Sequence, residues 1–163
     1  MFYFFGGLLL WYCLIFVYKT KTGSPSVPSR DEHIRSLVKY VKPGMRVADL
    51  GCGDGRVLLA MVRAGAKSGE GWEIEPWVWL SAILKVRKAK LEEKIQIHFG
   101  DMWRTNLKPY DLVFVYQLTR YAPRFVNKCR AEMRKETLVV ANTYPLEGLE
   151  LIKKDKELLI YKI

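Results

Sequence analysis

Residues 47–56 read Val47-Ala48-Asp49-Leu50-Gly51-Cys52-Gly53-Asp54-Gly55-Arg56, an apolar run that breaks into glycines at alternate positions, and the fold is decided here. The run has strand character, and Val57, Leu58, Ala60 and Met61 directly after it follow a helical pattern. A strand handed over to a helix through glycines lets the backbone pass close to a ligand that a Cβ would block. The segment therefore reads as a nucleotide-binding turn. Its spacing, G-x-G-x-G, departs from the dinucleotide fingerprint G-x-G-x-x-G, because Arg56 stands where the third glycine packs helix on strand.

The flanking sequence extends this reading. Glu73 closes the extended segment Gly71-Trp72-Glu73-Ile74 about twenty residues on, where a nucleotide site of this kind places an acid for the ribose hydroxyls. Residues 95–103 alternate like a strand that ends in Gly100-Asp101, and residues 110–116 form a nearly continuous apolar run, as in strands buried on both faces of a parallel sheet. Helical patterns lie between them. Ser29 and Glu32 have the spacing of a capping box before Ile34, Leu37, Val38 and Val41; Pro76 opens a helix to residue 91 that turns basic; another spans 123–134. Residues 137–141 read as a fifth strand, and residues 149–152 and 157–161, divided by charged residues 153–156, as a closing hairpin. Strand and helix in alternation predict an α/β fold with a mostly parallel sheet and a C-terminal antiparallel hairpin.

The first eighteen residues differ in kind. They carry no charged side chain and approach the ~20 apolar residues that cross a bilayer, so residues 1–18 are expected to form one N-terminal transmembrane helix. Residues 19–29 then form a basic Pro/Ser tether, and residues 30–163 the nucleotide-binding domain. Lys19 and Lys21 beyond the apolar run place that domain on the cytoplasmic side, with the lipid bilayer as a partner. The formal net charge of +10 suits anionic headgroups better than nucleic acid when an anchor is present. Cys13, Cys52 and Cys129 are too scattered for a zinc site or a disulfide framework, and His33 and His98 have no evident partner, so no metal is expected.

Taken with Trp72-Glu73-Ile74-Glu75-Pro76-Trp77-Val78-Trp79, Asp101-Met102-Trp103 and Pro109-Tyr110-Asp111-Leu112-Val113-Phe114, the glycine turn resembles class I S-adenosylmethionine-dependent methyltransferases. Within them, the chain is similar to the small membrane-associated protein-lysine methyltransferases that act on the c-ring protein of ATP synthase and the adenine nucleotide translocase. The resemblance implies a Rossmann-like fold and S-adenosylmethionine as cofactor. That cofactor has no pyrophosphate to neutralise, so Asp49 and Asp54 beside Gly51, Cys52, Gly53 and Gly55 are tolerable and can grip its cationic methionine end. It further implies that Glu73 and Ile74 hold the ribose, and that Gly100, Asp101, Met102 and Trp103 hold the adenine, with Trp103 stacking. The implied reaction is in-line transfer to a lysine of a protein substrate. A lysine must lose its proton first, so Tyr116, Thr119 and Tyr121, just beyond the fourth strand, are expected to line a desolvating mouth. No D/N-P-P-Y/F motif follows that strand, which speaks against an adenine-extruding pocket. An RNA methyltransferase and a non-catalytic cofactor-binding module are the alternatives.

Overall fold

The computed structural model describes Gly6, Gly7 and residues 28–163. Seven strands form one sheet in the order β3-β2-β1-β4-β5-β7-β6. They are β1 (Arg46–Leu50), β2 (Ser68–Glu73), β3 (Ile95–Phe99), β4 (Leu112–Val115), β5 (Leu138–Asn142), β6 (Glu150–Asp155) and β7 (Leu158–Lys162). The first five are parallel, and β7 inserts antiparallel between β5 and β6. Four helices accompany them among the described residues: α1 (Asp31–Leu37), α2 (Arg56–Arg63), α3 (Pro76–Lys88) and α4 (Ala122–Glu132). The expected Rossmann-like sheet with its closing hairpin is present.

Alternation along the strands sorts the core onto two faces. Val47, Leu112, Phe114, Val140, Leu158 and Ile160 pack with Leu58, Met61 and Val62 of α2, while Ala48, Leu50, Val113, Val115, Val139 and Ala141 pack with Phe125, Val126 and Cys129 of α4. β2 is poor in strand-forming residues, and its glycines explain why. A Cβ on Gly71 would lie 2.6 Å from Leu58 and 2.7 Å from the Cys52 sulfur, and one on Gly69 would lie 3.0 Å from Leu58. Glycine here lets α2 sit directly on the sheet. Cys52 is thus small packing within the turn, as its position in the sequence suggests.

Three local expectations are corrected. Arg30, in extended backbone and with no side-chain cap bond, is the N-cap of α1, so the Ser29–Glu32 capping box does not form; Ser29 is buried instead. Residues 153–155 do not divide the hairpin but belong to β6, the sheet edge, where lysines guard against strand addition. Finally, among the described residues no helix is long and apolar enough to cross a membrane. The longest of them, α3, has 13 residues and is roughly 20 Å long at 1.5 Å per residue, short of a bilayer core. The expectation of a single-pass membrane protein with a cytoplasmic catalytic domain is withdrawn on that finding. The segments 1–18 and 19–29, on which it rested, lie outside the described residues except for Gly6, Gly7, Pro28 and Ser29.

Candidate active site

The strand order reverses direction between β1 and β4, and in open α/β sheets ligands bind beyond the carboxyl ends of the strands at such a point. Leu50 is paired with Val115 there, so the loop after β1 (residues 51–55) and the loop after β4 (residues 116–121) leave the sheet side by side. β2 flanks the first loop and β5 the second.

Gly51, Gly53 and Gly55 all have left-handed backbone, with φ of 82°, 54° and 79°. A Cβ on Gly51 or Gly53 would meet nothing within 4 Å, so these two line open space that side chains would fill. Gly55 has a further constraint: its Cβ would lie 3.4 Å from that of Ala82 on α3. The Gly51 and Cys52 N–H groups both donate to the Trp72 carbonyl, at 3.0 and 2.9 Å, which ties the turn to the end of β2.

Glu73 completes the tie. It is buried, and its carboxylate accepts from the backbone N–H of Gly53 at 3.0 Å and from those of Ile74 and Glu75 at 2.9 Å each. Its carbonyl accepts from the Gly100 N–H at 3.0 Å, which brings the end of β3 alongside. Asp49 is also buried; burial, then the Glu73 and Asp54 carboxylates, push its pKa up to about 8. For Asp54, partial burial opposes ionisation, but Lys85 and Arg56 overcome it and hold the carboxyl below the usual carboxylate range. Lys85 reaches in from α3, and the Arg56 guanidinium lies 3.2 Å away.

The structure thus brings Asp49, Gly51, Cys52, Gly53, Asp54, Gly55, Glu73, Ile74 and Gly100 together on one rim. Asp101 follows, its Oδ1 accepting from the Trp103 N–H at 3.0 Å to start a 3-10 turn over Met102–Arg104. Trp103 follows in that turn. Its ring is buried on the α4 side, 6.4 Å from the Tyr121 and Phe125 rings, with the Arg124 guanidinium 4.1 Å from its centroid. Met102 packs against the same cluster.

The three residues expected to line a mouth do not form one cluster. Tyr116 packs on the α2 side of the sheet and stacks on Tyr144, which follows β5, with centroids 6.2 Å apart and planes 29° apart. Tyr121 packs on the α4 side, and Thr119 lies in the 3-10 turn between them. The backbone after Val115 turns within five residues, so neighbours in sequence divide between the two faces. Beside them lie polar residues that the sequence pattern does not single out. Gln117 is buried with neither side-chain atom partnered among the described residues, and Asn142, at the end of β5, is buried with its Nδ2 unpartnered. The one sequence signal for Gln117 is a polar residue close behind an apolar strand.

Comparison with known proteins places the chain in a family. The family model described as the ANTKMT methyltransferase domain matches residues 49–153. The adenine nucleotide translocase lysine N-methyltransferase of Mus musculus is 30% identical over 115 residues, covering 71% of this chain and 49% of that protein. The Xenopus laevis lysine N-methyltransferase named for the c-type component of ATP synthase is 25% identical over 123 residues, covering 74% and 54%. The chain therefore spans about half the length of these two curated relatives. Among solved structures, an RNA methyltransferase from Salinibacter ruber in complex with S-adenosyl-L-homocysteine superposes with a TM-score of 0.76 at 19% identity, over 83% of this chain and 92% of that one, a likeness of fold.

Proposed function

We propose, for a chain that belongs to the ANTKMT methyltransferase domain family, that it transfers the methyl group of S-adenosylmethionine to lysine side chains of protein substrates. The observation that carries this reading is the buried Glu73 carboxylate, fixed by three backbone N–H donors at the crossing of the glycine turn and β2. Asp49 and Asp54 lie close enough to couple with one another, and Asp49 with Glu73, so three carboxyl groups gather beside the open faces of Gly51 and Gly53. A carboxylate fixed at that point disfavours a pyrophosphate beside it, and Asp49, which keeps its proton up to about pH 8, would ionise against a ligand's cationic end.

S-adenosylmethionine supplies a methyl group on a sulfonium, which the lone pair of an amine takes as the S–C bonding electrons return to sulfur. The protein's part is to hold, align and desolvate. Glu73 would hold the ribose hydroxyls, since two carboxylate oxygens offer roughly four acceptor positions and three are used by N–H groups. That leaves room for at least one direct bond, and a second follows when the Gly53 or Ile74 donor shifts to share. The open faces of Gly51 and Gly53 would receive the methionine end, and Gly100, Asp101 and Met102 would border the adenine. Trp103, committed to the α4 side, would act there as a wall. The acceptor lysine must arrive neutral, against a reference pKa of ~10.4. Desolvation beside the Tyr116–Tyr144 pair lowers that value, and the released proton passes to water. Thr119 and Tyr121 border the approach from the other side.

The test is incubation of the purified protein with methyl-labelled S-adenosylmethionine and a total cell extract, followed by protease or nuclease digestion. Label released by protease and recovered as methyl-lysine is the expected result. Label released by nuclease would make it an RNA methyltransferase, and cofactor binding without any label a non-catalytic module.

A further inference from the structure

Gln117 lies two residues beyond β4, the strand that borders the glycine turn at the point where the sheet reverses. It is 4% exposed, yet both Oε1 and Nε2 lack a hydrogen-bond partner among the described residues. Glutamine is seldom buried so fully, and an orphaned buried polar atom costs about 1–3 kcal/mol. Native proteins keep few such groups, and each calls for an explanation such as a ligand that completes the bonding. A second orphan stands on the neighbouring strand: Asn142, 1% exposed, has its Oδ1 3.2 Å from the Thr143 hydroxyl but nothing on Nδ2. The stacked Tyr116 and Tyr144 rings belong to the same two strand ends. Unmet hydrogen-bonding capacity and a stacked aromatic pair are therefore both carried by the segments that leave the sheet after β4 and β5, on the other side of the sheet's reversal from the glycine turn.

We propose that the Gln117 amide is the group that receives the acceptor lysine, its Oε1 accepting an N–H of the amine so that the nitrogen lone pair is aimed at the methyl group. This rests on the lysine-methylating reading given above. The choice of an amide has a physical reason. A carboxylate at this position would favour the charged ammonium and hold the nucleophile protonated, whereas a neutral carbonyl oxygen adds no charge that would do so. Gln117 would thus align the nucleophile and leave it reactive. Each methyl group added also removes one N–H: the neutral amine of lysine has two, its monomethyl form one and its dimethyl form none, so the bond to Oε1 can align only the first two transfers.

Two near-isosteric variants test this in the full chain. Gln117→Met removes both orphaned atoms, so the fold loses no partner. It should keep its melting temperature and bind S-adenosylhomocysteine within about twofold of the original, while methyl-lysine formation in the cell extract falls about tenfold, the loss of one hydrogen bond of ~1.4 kcal/mol. Gln117→Glu should move the alkaline rise of the pH–rate profile upward by about one unit, because a carboxylate stabilises the ammonium. A melting temperature or cofactor affinity that collapses in Gln117→Met would assign the residue to structure and overturn the proposal. So would unchanged rates and pH profiles in both variants. If the unaltered protein forms no methyl-lysine at all, the lysine reading fails first and carries the assignment of Gln117 with it.

Discussion

The β1–β2 end of the rim and the β4–β5 end are built from similar materials and finished differently. At the first, Glu73 already accepts three N–H groups, and Asp54 is clamped by Lys85 and Arg56. At the second, the buried amides of Gln117 and Asn142 carry three unpartnered atoms between them among the described residues. The first half is largely pre-organised: its backbone donors already fix the Glu73 carboxylate, and a ligand would need only a small shift of one of them. The second is left for a partner to complete. On the proposed function, one half would recognise a constant cofactor through fixed geometry, and the other a variable protein through groups that pair on arrival.

The sharpest way to break this contrast is Glu73→Ala. It removes a charged acceptor for ribose hydroxyls, each such bond worth ~1.5–3 kcal/mol, so affinity for S-adenosylhomocysteine by calorimetry should fall roughly a hundredfold or more. The Gly53 N–H loses its acceptor too, and the melting temperature should drop. An unchanged affinity would remove Glu73 from the cofactor site.

Asp49 gives the next largest effect and a pH dependence whose sign is fixed. Its carboxyl titrates near 8 in the fold against 3.8 in the unfolded chain, so the folded state retains a proton that the unfolded state releases between these values. Stability should therefore fall as pH rises from about 4 to about 8 and level off above that. Asp49→Asn should abolish the slope and raise the melting temperature of the cofactor-free protein at pH 9, with little change near pH 4. A cation bound beside Asp49 favours its ionised form, so affinity for S-adenosylmethionine should grow between pH 6 and 8 in the original protein and not in the variant. A flat stability profile would place Asp49 outside the buried, acid-coupled environment described for it.

At the other half, Tyr144→Ala opens the aromatic pair to water. Methyl-lysine formation should drop about two- to tenfold, an aromatic contact being worth ~0.5–1.5 kcal/mol, with cofactor affinity unaltered. A parallel loss of cofactor affinity would blur the division between the halves. The smallest effect belongs to Lys85→Met. Its Asp54 pair is 45% exposed on the lysine side, and solvent screening limits such pairs to ~0.2–1 kcal/mol, so stability and cofactor affinity should shift by no more than a few fold, and less at high salt.

How much of this is legible in the sequence follows the same divide. The glycine turn and Glu73 are set by local spacing along one β-α-β unit, so residue order alone locates them. The contributions of Lys85 and of Gly71 are not local: one closes a contact across 31 positions, and the other is required by Leu58 and Cys52 from a neighbouring helix and turn. Trp103 illustrates the limit. Its place after Asp101 is local, whereas the contacts its ring makes with Phe125 and Arg124 beyond the 3-10 turn capped by Asp101 come from a distant helix. Tyr116 and Tyr121 look like one group in sequence and are parted by the short turn over Thr119–Tyr121. Gln117 is invisible there as a site residue because burial without a partner is a property of tertiary structure, and residue identity does not encode it.

The most direct test of this division is to titrate S-adenosylhomocysteine into Glu73→Ala and Gln117→Met in parallel while following methyl-lysine formation by each. The account predicts that Glu73→Ala loses cofactor affinity and turnover together, whereas Gln117→Met loses turnover alone. Equal loss of cofactor affinity in both would contradict it, because the rim would then be a single site rather than two differently prepared halves.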